Sequence, residues 1–349
     1  MIVVNGRFLT QQATGVQRFA LEVSRELVKI RDDLVFVVPR KSRIVTELPP
    51  DFSIARYGEL KGHLWEQLEL PRFFHSRRAN LLLGLGSLGP IALSRQVVTH
   101  HDITYEKYPA GFPPFFRILY HNLAPISLRR SIAVITVSEF SRSEISTHWN
   151  IPIDKIHVVP NAVRSTFSPG PNASEEPYIL TIASPRAHKN LERLLEAFLI
   201  YSETVDIRLK VVGHRPNFAK GRVMKNVEFL GRVDDHELLR LYRGARIFAY
   251  PSLYEGFGIP PLEAQGCMVP VVAAHAASLP EVLEESVEYF DPLSVDSIVA
   301  AIHLVDTNDE LRARLVKAGE INVRRFSWAE SGRKLAAIIE DALTSTSTA

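Results

Sequence analysis

Two carboxylates and two glycines lie close together in the segment PSLYEGFGIPPLEAQ. Glu255 is followed by Gly256, Phe257 and Gly258, and Glu263 comes eight residues after Glu255. Glycines let backbone N–H groups approach a ligand closely, and a helix that begins after them offers further N–H groups to a phosphate. Carboxylates accept hydrogen bonds from sugar hydroxyls. The segment therefore predicts a site for a ligand that combines phosphate with a polyol.

The prolines of this segment predict where its helix starts. Pro260 and Pro261 suit a first helical turn, so the helix is expected to begin at Leu262. Glu263 would then lie in the first turn, where an acidic side chain also complements the helix dipole. That structural role could account for Glu263 alone. It does not account for Glu255 and the glycines, so the ligand-binding interpretation is preferred.

A second glycine motif is interpreted as a loop. Gly84, Gly86 and Gly89 match the G-x-G-x-x-G pattern of dinucleotide-binding proteins, in which the glycines open a helix that holds the pyrophosphate. Here Pro90 follows at once, and the strand-like stretch QVVTHHD comes soon after. A nicotinamide-dependent oxidoreductase is therefore disfavoured.

Three residues with metal-ligating side chains, His100, His101 and Asp102, follow an apolar strand candidate. Consecutive strand residues point to opposite faces of a sheet, so three adjacent ligands fit one ion poorly. The sequence also contains no Asp-x-Asp pair, which would suit a Mg²⁺-bridged diphosphate. No metal site and a metal-independent reaction are therefore predicted, and His100 is predicted to be a packed strand residue.

Apolar runs alternate with amphipathic helical patterns along the chain, which is typical of parallel α/β sheets. The predicted strands are 2–5, 34–38, 79–84, 97–99, 133–137, 178–182, 208–212, 227–230, 247–250 and 269–273. The predicted helices or helix starts are 16–29, 138–144, 191–202, 236–245, 262–265 and 327–343. Residues 159–177 are rich in Pro and Ser and predict a linker between two halves, and the last residues, TSTSTA, are expected to be frayed.

Composition excludes several classes of protein. The 349 residues are 46% hydrophobic and 23% charged, which excludes a disordered chain or a collagen-like fibre. The single cysteine, Cys267, excludes an intrachain disulfide. Residues 1–165 hold 21 Lys and Arg against 14 Asp and Glu, a net +7, so the remainder carries −5. The first residues do not resemble a signal peptide, and no apolar run could span a membrane, so a cytoplasmic location is expected.

The segment EGFGIPPLEAQGCMVPVV resembles the E-x7-E signature of retaining GT-B glycosyltransferases, in particular glycosyltransferase family four. Further similar stretches follow in the family's order between residues 15 and 334: GVQRFA, VVTHHDITYEKYP, ITVSEFSRSEI, VVPNAV, HKNLERLLEAF, VEFLGRVDDHELLRLYRGA and FSWAES. The tract WEQLELPRFF is similar to a subgroup that includes mannosyltransferases of bacterial surface polysaccharide (O-antigen) assembly.

The resemblance implies a GT-B fold, in which two Rossmann-like, doubly wound parallel-sheet domains face a central cleft. Residues 1–165 would form the N-terminal acceptor-binding domain, and residues 166–326 the C-terminal nucleotide-sugar-binding domain. Residues 327–349 would form a C-terminal helix that packs back towards the N-terminal domain, with a frayed tail.

The resemblance also implies roles for residues of the donor site. Glu255 would contact hydroxyls of the donor sugar, Glu263 would hold the ribose, and Lys189 would bind the diphosphate. Arg232 and Val233 would frame the base through backbone groups. The loop residues Gly256, Phe257 and Gly258 would also contact the donor. Arg186 stands near the place of the family's usual phosphate-binding arginine, and it either binds phosphate oxygens or points to solvent.

Further roles fall on the N-terminal half. Gly15 would let its loop approach the diphosphate or the reacting sugar, and His101 would lie at the reaction centre. Gln17 and Asp102, with His101, would contact the acceptor. Asn161 would turn the linker, and Ala162 stands where the family usually has glycine, so no positive φ is expected there. Catalysis would then depend on His101, Glu255 and Lys189.

The implied activity is transfer of a sugar, with retention of anomeric configuration, from a nucleotide donor to a hydroxyl of a lipid-linked glycan. GDP-mannose is the first choice of donor, and a UDP-hexose or another GDP-sugar is the alternative. A sugar-nucleotide epimerase of the same fold and a noncatalytic subunit are the alternative classes. No resident cofactor and no nucleic-acid partner are expected. Residues 108–130 mix aromatic with basic residues, and they either dock on the anionic inner face of the cytoplasmic membrane or form a helix packed within the first domain.

Overall fold

The computed structural model describes residues 1–12, 14–86, 88–171, 174, 176–216, 219, 221 and 224–347. The chain forms two compact units. The first contains Met1–Glu106, Phe112–Asn161 and the segment from Ser327 onward, and the second contains Lys107–Gly111 and Ala162–Phe326. The first unit thus ends its main stretch at Asn161, slightly before the sequence-based boundary at residue 165. A short segment from the first half of the chain, Lys107–Gly111, belongs to the second unit.

Seven parallel strands form the sheet of the first unit, in the order β3-β2-β1-β4-β5-β6-β7. They are β1 (Ile2–Asn5), β2 (Leu34–Pro39), β3 (Ile54–Tyr57), β4 (Leu81–Gly84), β5 (Gln96–Thr99), β6 (Ala133–Thr136) and β7 (Ile156–Val158). The sequence does not predict the two edge strands. In β3 the exposed Arg56 interrupts the apolar run, and β7 has only three residues.

The helices of the first unit cover this sheet. In chain order they begin with α1 (Gly15–Leu27), α2 (Gly62–Leu64), α3 (Leu70–Ser76), α4 (Thr104–Lys107), α5 (Pro114–Arg130) and α6 (Glu139–Trp149). Helix α1 buries Phe19, Val23 and Leu27, which recur at helical spacing. The G-x-G-x-x-G motif forms a loop after β4 rather than a helix start, as predicted, although residue 87 lies outside the described residues.

The tract WEQLELPRFF anchors several loops of the first unit. Residues 65–69 form a π-helical turn between α2 and α3. The buried Trp65 donates its indole N–H to the Tyr57 carbonyl (2.8 Å). The buried Glu66 carboxylate accepts hydrogen bonds from Asn5 Nδ2 and Arg7 Nε, each at 2.8 Å. The tract therefore ties the π-helical turn to the end of β1.

Six parallel strands form the sheet of the second unit, in the order β10-β9-β8-β11-β12-β13. They are β8 (Tyr178–Ile182), β9 (Arg208–Val212), β10 (Val227–Gly231), β11 (Ile247–Tyr250), β12 (Val271–Ala274) and β13 (Glu288–Phe290). The helices are α7 (Leu191–Tyr201), α8 (Asp235–Gly244), α9 (Ile259–Gly266), α10 (Leu279–Leu283), α11 (Val295–Thr307) and α12 (Asp309–Val323). The prediction of two parallel-sheet α/β domains is confirmed.

Helix α9 begins earlier than the sequence predicts. It starts at Ile259, so both prolines lie inside its first turn, where no backbone N–H is needed for an intrahelical bond. The expected start at Leu262 is therefore wrong. Glu263 is the fifth helical residue, beyond the first turn, and an interaction with the helix dipole is a weak explanation for it.

The last helix, α13 (Trp328–Ser347), packs on α1 within the first unit. The rings of Phe19 and Trp328 lie 6.1 Å apart in an edge-on arrangement. The helix continues through residues 344–347, which are predicted to be frayed. The hydroxyls of Thr344 and Ser345 donate to the Asp341 carbonyl, so these side chains form hydrogen bonds within the helix.

The segment 108–130 contains α5, which starts at Pro114 and includes Pro125 in its interior. Its side chains Phe115 and Ile118 are 77% and 64% exposed. Throughout the portion of the chain that the structure describes, no helix combines the length and apolar character needed to cross a bilayer.

Candidate functional site

Lys189 and Glu255, 66 residues apart in the sequence, form an ion pair in the second unit, with Nζ 2.5 Å from Oε1. Lys189 ends a short 3₁₀ turn after β8, and Glu255 follows β11. These two strands are parallel neighbours, so their carboxyl ends meet at one edge of the sheet. The Leu253 N–H donates to the His188 carbonyl at 2.7 Å, which holds the two loops together.

The Glu255 carboxylate is held on one side only. Its Oε1 accepts hydrogen bonds from Lys189, from the Tyr250 hydroxyl (2.6 Å) and from the Ser252 hydroxyl. Burial alone would raise the pKa of Glu255, but the charge of Lys189 and these three hydrogen bonds outweigh it and lower the pKa. Oε2 forms no hydrogen bond within the described part of the chain. The group is therefore a fixed carboxylate with one oxygen available as an acceptor.

Asn190 fixes the loop that carries Lys189. It adopts a left-handed conformation (φ 52°) between the 3₁₀ turn and α7. Its buried amide donates to the Pro292 carbonyl (2.7 Å) and accepts from Arg193 (2.8 Å). Asparagine tolerates this conformation better than most residues. The "KN" pair of the sequence thus combines a cation with a structural turn residue.

The glycine loop, residues 256–258, packs against neighbouring segments of the second unit. Gly258 has φ 96°, and a Cβ there would lie 2.6 Å from a Leu279 methyl carbon, so any other residue would be strained at this position. Ser278 donates its hydroxyl to the Glu255 carbonyl at 2.9 Å. The Phe257 ring is buried edge-on against Phe326, with the ring centres 5.2 Å apart. The Phe257 side chain therefore belongs to the core, and only its backbone is suited to donor contact.

Glu263 lies buried in α9, the helix that directly follows the glycine loop. Its Oε2 accepts a hydrogen bond from the Tyr242 hydroxyl at 3.1 Å. A second polar network joins α9 to α12, because Gln265 accepts from Asn322 (2.9 Å) and donates to Ser286 Oγ (2.7 Å). The helix that carries Glu263 is thus fixed on both sides.

Three other predicted donor residues lie at or beside the same edge of the sheet. Arg232 and Val233 form the turn between β10 and α8, where Gly231 has φ 69°. Arg186 precedes the Lys189 turn, and its exposed side chain lies beside Gly111 of the same unit. These positions are compatible with the predicted contacts to base and phosphate, which stay predictions.

His101 follows β5 at the carboxyl edge of the first unit's sheet. Its ring packs edge-on against Phe19 of α1 (5.0 Å) and is 8% exposed. Burial is the main cause that lowers its pKa to about 4, and the charge of His100 acts in the same direction. The charge of Asp102 and a hydrogen bond to the Leu85 backbone raise the pKa, but they offset only part of this effect. His101 is therefore neutral near pH 7, and its buried Nε2 has no hydrogen-bond partner among the described residues.

His100 lies within the core of the first unit, in agreement with its interpretation as a packed strand residue. It is fully buried, and its Nε2 lies 3.1 Å from the Tyr105 hydroxyl. The Trp149 ring packs edge-on against it at 5.0 Å. The contacts of the His100 side chain therefore lie inside the first unit, and they account for it as a structural residue.

Three predicted residues near His101 have local structural roles. Gly15 opens α1, and a Cβ there would meet open space, so sterics within this structure do not require glycine. Gln17 caps the same helix, accepting from the Thr14 N–H (3.2 Å) and donating to Gln11 (3.0 Å). Asp102 caps α4, accepting from both the N–H and the hydroxyl of Thr104. Acceptor contacts by Gln17 and Asp102 stay predictions.

Asn161 is buried at the end of the first unit's main stretch. The following Ala162 is absent from the described non-glycine residues with positive φ, as its replacement of the family's glycine predicts.

A cavity of about 750 Å³ in the second unit lies at the opposite end of the strands. Pro177, Arg246 and Pro270 line it, and they directly precede β8, β11 and β12. Ligands of open α/β sheets bind outside the carboxyl ends of the strands. The cavity therefore carries no part of the chemistry of Lys189 and Glu255.

Sequence reasoning misses the side chains that position the carboxylates. Tyr250 and Ser252 hold Glu255, and Tyr242 holds Glu263. Tyr250 reads as an ordinary strand residue and Tyr242 as an apolar position of a helix. The one available signal is that a buried tyrosine hydroxyl needs a hydrogen-bond partner.

Two family profiles cover most of the chain. The profile of group 1 glycosyl transferases matches residues 164–321, and that of Glycosyltransferase Family 4 matches residues 13–167. The O-antigen chain mannosyltransferase B of Escherichia coli is 31% identical, over 90% of this chain and 93% of that protein. The O-antigen chain mannosyltransferase RfbU of Salmonella typhimurium is 30% identical, over 61% of this chain and 62% of that protein.

The fold is also similar to that of solved structures. The crystal structure of HepE from Anabaena in complex with UDP and glucose superposes with a TM-score of 0.72 and 16% sequence identity. It covers 97% of this chain and 98% of that chain. Two parallel-sheet domains, two family profiles and a full-length relative at 31% identity agree, and this protein belongs to the group 1, family 4 glycosyltransferases of GT-B fold.

Proposed function

We propose that this glycosyltransferase transfers mannose from GDP-mannose to a hydroxyl of a lipid-linked glycan in O-antigen assembly, with retention of anomeric configuration. The observation that carries the proposal is the fixed Glu255 carboxylate beside Lys189, at the carboxyl edge of the second unit's sheet. The choice of mannose depends on the two relatives named as O-antigen mannosyltransferases.

Each half of the donor has a matching group in the second unit. Lys189 would offset part of the charge of the diphosphate, since its ammonium has three donors and can keep Glu255 while it binds phosphate oxygens. Glu255 Oε2 would accept hydrogen bonds from mannose hydroxyls. Glu263 would accept from the ribose hydroxyls, and the turn at Arg232 and Val233 would contact the base through its backbone.

The proposed reaction is a front-face displacement. The bond between the mannose C1 and the diphosphate oxygen breaks, and the acceptor oxygen bonds to C1 on the same face. The acceptor proton passes to the departing diphosphate. Lys189 and the N–H groups of the glycine loop would stabilise the charge on that leaving group.

The properties of two side chains agree with this chemistry. The lowered pKa of Glu255 makes it a hydrogen-bond acceptor rather than a general acid. His101, neutral because of burial, would accept a hydrogen bond from a hydroxyl of the reacting sugar or acceptor at its Nε2.

The reaction is proposed to need no metal ion, because Lys189 supplies positive charge at the diphosphate. Turnover of GDP-mannose should therefore be the same in EDTA as in MgCl₂. Loss of activity in EDTA that Mg²⁺ restores would contradict this part of the proposal.

Helix α5 is proposed to bring the protein to the inner face of the cytoplasmic membrane. Phe115 and Ile118 are exposed, and Arg117, Arg129 and Arg130 on the same helix are exposed cations. Apolar side chains flanked by arginine suit an anionic lipid surface. Replacing Phe115 and Ile118 by serine should reduce co-sedimentation with phosphatidylglycerol-containing vesicles and leave binding of GDP unchanged.

Thermal stabilisation by a panel of GDP, UDP, GDP-mannose and UDP-glucose tests the donor. A ligand that binds only the folded protein adds about 2.7 kcal/mol of stability at 100 times its Kd, which raises the melting temperature visibly. A rise with GDP and GDP-mannose alone supports the proposal. A rise in melting temperature with the UDP compounds alone would indicate a UDP-sugar donor in place of GDP-mannose. No rise with any of the four ligands contradicts the proposal.

A further inference from the structure

We infer that two buried tyrosines are positioning residues, each serving one of the two carboxylates. Tyr250 would set Glu255 for the sugar, and Tyr242 would set Glu263 for the nucleotide. The inference rests on the proposed function, because it takes the roles of the two carboxylates from there. It adds two residues that touch no substrate themselves and yet control the two halves of the donor site separately.

Tyr250 is the last residue of β11 and is 2% exposed. Its hydroxyl donates to Glu255 Oε1 at 2.6 Å. Burial, together with the charge and hydrogen bond of Glu255, raises its pKa well above the ordinary value, so the hydroxyl keeps its proton and stays a donor. Because Lys189 and Ser252 also donate to Oε1, the carboxylate is turned with Oε2 away from all three donors.

Tyr242 has the same relationship to the other carboxylate. It is fully buried on α8, and its hydroxyl lies 3.1 Å from Glu263 Oε2 and 3.2 Å from the Pro260 carbonyl. The single proton is shared between these two acceptors, which are both in α9. Burial and the charge of Glu263 raise the pKa of Tyr242 as well. The hydroxyl thus fixes Glu263 relative to the first turn of its own helix.

The two rings are held by one aromatic cluster. Phe248 of β11 packs against Tyr242, with ring centres 5.5 Å apart, and against Tyr250 at 5.9 Å. Phe248 is itself fully buried. Close-packed rings cannot follow a carboxylate that moves, so each hydroxyl is a fixed reference point for its carboxylate.

Removing one hydroxyl should therefore affect one half of the donor. In Tyr250→Phe, Glu255 loses a donor and its orientation is less restricted, while Glu263 keeps Tyr242. The ratio of the Kd of GDP-mannose to the Kd of GDP should rise about 10-fold, in line with the worth of a hydrogen bond to a charged group, and kcat should fall. In Tyr242→Phe, both Kd values should rise by the same factor, and kcat should be nearly unchanged.

Tyr178→Phe is the matched control. Tyr178 is also a buried tyrosine of the second unit, and its hydroxyl donates to the Leu241 carbonyl (2.7 Å) rather than to either carboxylate. It loses a buried hydroxyl and its hydrogen bond as the other variants do. The melting temperature of Tyr178→Phe should fall about as far as those of the other two variants, and its Kd values for GDP and GDP-mannose should match those of the wild type.

The experiment is calorimetric titration of the wild type and the three variants with GDP, GDP-mannose, UDP and UDP-glucose, with kcat measured on the sugar nucleotide that binds. A rise in the Kd ratio confined to Tyr250→Phe, with an equal weakening of both ligands in Tyr242→Phe, supports the inference. A Tyr250→Phe variant that keeps the wild-type Kd ratio and kcat overturns the inference. A Tyr250→Phe variant in which the Kd values of GDP and GDP-mannose rise by the same factor also overturns it, since that pattern indicates a merely structural role. A wild type that binds none of the four ligands contradicts the proposed function, and the inference falls with it.

Discussion

The Lys189 ammonium lies 2.5 Å from Glu255 Oε1, although these residues are assigned to different parts of the donor, the diphosphate and the sugar. The ion pair places the two groups side by side before any ligand arrives. It also lowers the pKa of Glu255 against the effect of burial. Under the proposed function, the pair would be a preformed junction between the group that binds the diphosphate and the group that binds the sugar, as a pyrophosphate bonded directly to a sugar requires.

Replacing Lys189 should weaken nucleotide binding. In Lys189→Ala the diphosphate loses its cation, and the Kd of GDP should rise at least 10-fold, about the worth of a hydrogen bond between charged groups. Lys317→Ala is the control, because Lys317 is an exposed lysine at the cavity on the opposite edge of the same unit. Calorimetric titration with GDP compares them. Equal affinities of the two variants for GDP would show that Lys189 does not bind the diphosphate.

Removing Glu66 should destabilise the first unit. The buried carboxylate neutralises Arg7 and accepts from Asn5, so Glu66→Ala leaves a largely buried guanidinium without its partner. Breaking such a pair costs about 3–5 kcal/mol of unfolding free energy. Urea denaturation measures this loss, with Glu59→Ala as the control, because Glu59 is a surface carboxylate whose ion pairs with Arg40 and Lys41 are exposed to solvent. A loss no larger than that of the control would show that the cluster contributes little to stability.

Burial of neutral His101 makes stability depend on pH below neutrality. Its pKa is about 4 in the folded chain and 6.5 when unfolded, so between these values the unfolded state binds more protons. The contribution is complete above pH 6.5 and is lost as the pH falls towards 4, by about 3 kcal/mol in all. Urea denaturation at pH 7.5 and 5 should show a larger decrease for the wild type than for His101→Asn. An equal decrease in both would contradict a buried neutral imidazole.

Much of the fold follows from the sequence because most of the central strands are short, predominantly apolar runs. All five central strands of the first sheet and five of the six in the second are predicted. The edge strand β3 escapes prediction because the exposed Arg56 interrupts its apolar run and none of its four residues is fully buried. The predicted start of α9 is three residues too late, because the prediction places both prolines before Leu262, whereas they are the second and third residues of the helix, where no N–H donor is needed.

The sequence predicts only those residues of the candidate site whose type and spacing indicate a chemical role. Glu255 and Glu263 are charged residues of a glycine-rich segment and can be proposed from residue types and spacing, whereas Lys189 is proposed only through the family resemblance. The positioning tyrosines are not predicted, because Tyr250 and Tyr242 occupy positions that any large apolar residue could fill. Only the three-dimensional packing shows that their hydroxyls meet carboxylates.

The most direct test of a donor site at Glu255 is the rate of GDP release from GDP-mannose with α-linked mannobiose as acceptor. Glu255→Ala should be at least 100-fold slower than the wild type, since the sugar loses its fixed acceptor, and its Kd for GDP should stay within a few-fold. The control Glu285→Ala, an exposed carboxylate of the same unit, should match the wild type. A Glu255→Ala enzyme with the wild-type rate would contradict the assignment of the site.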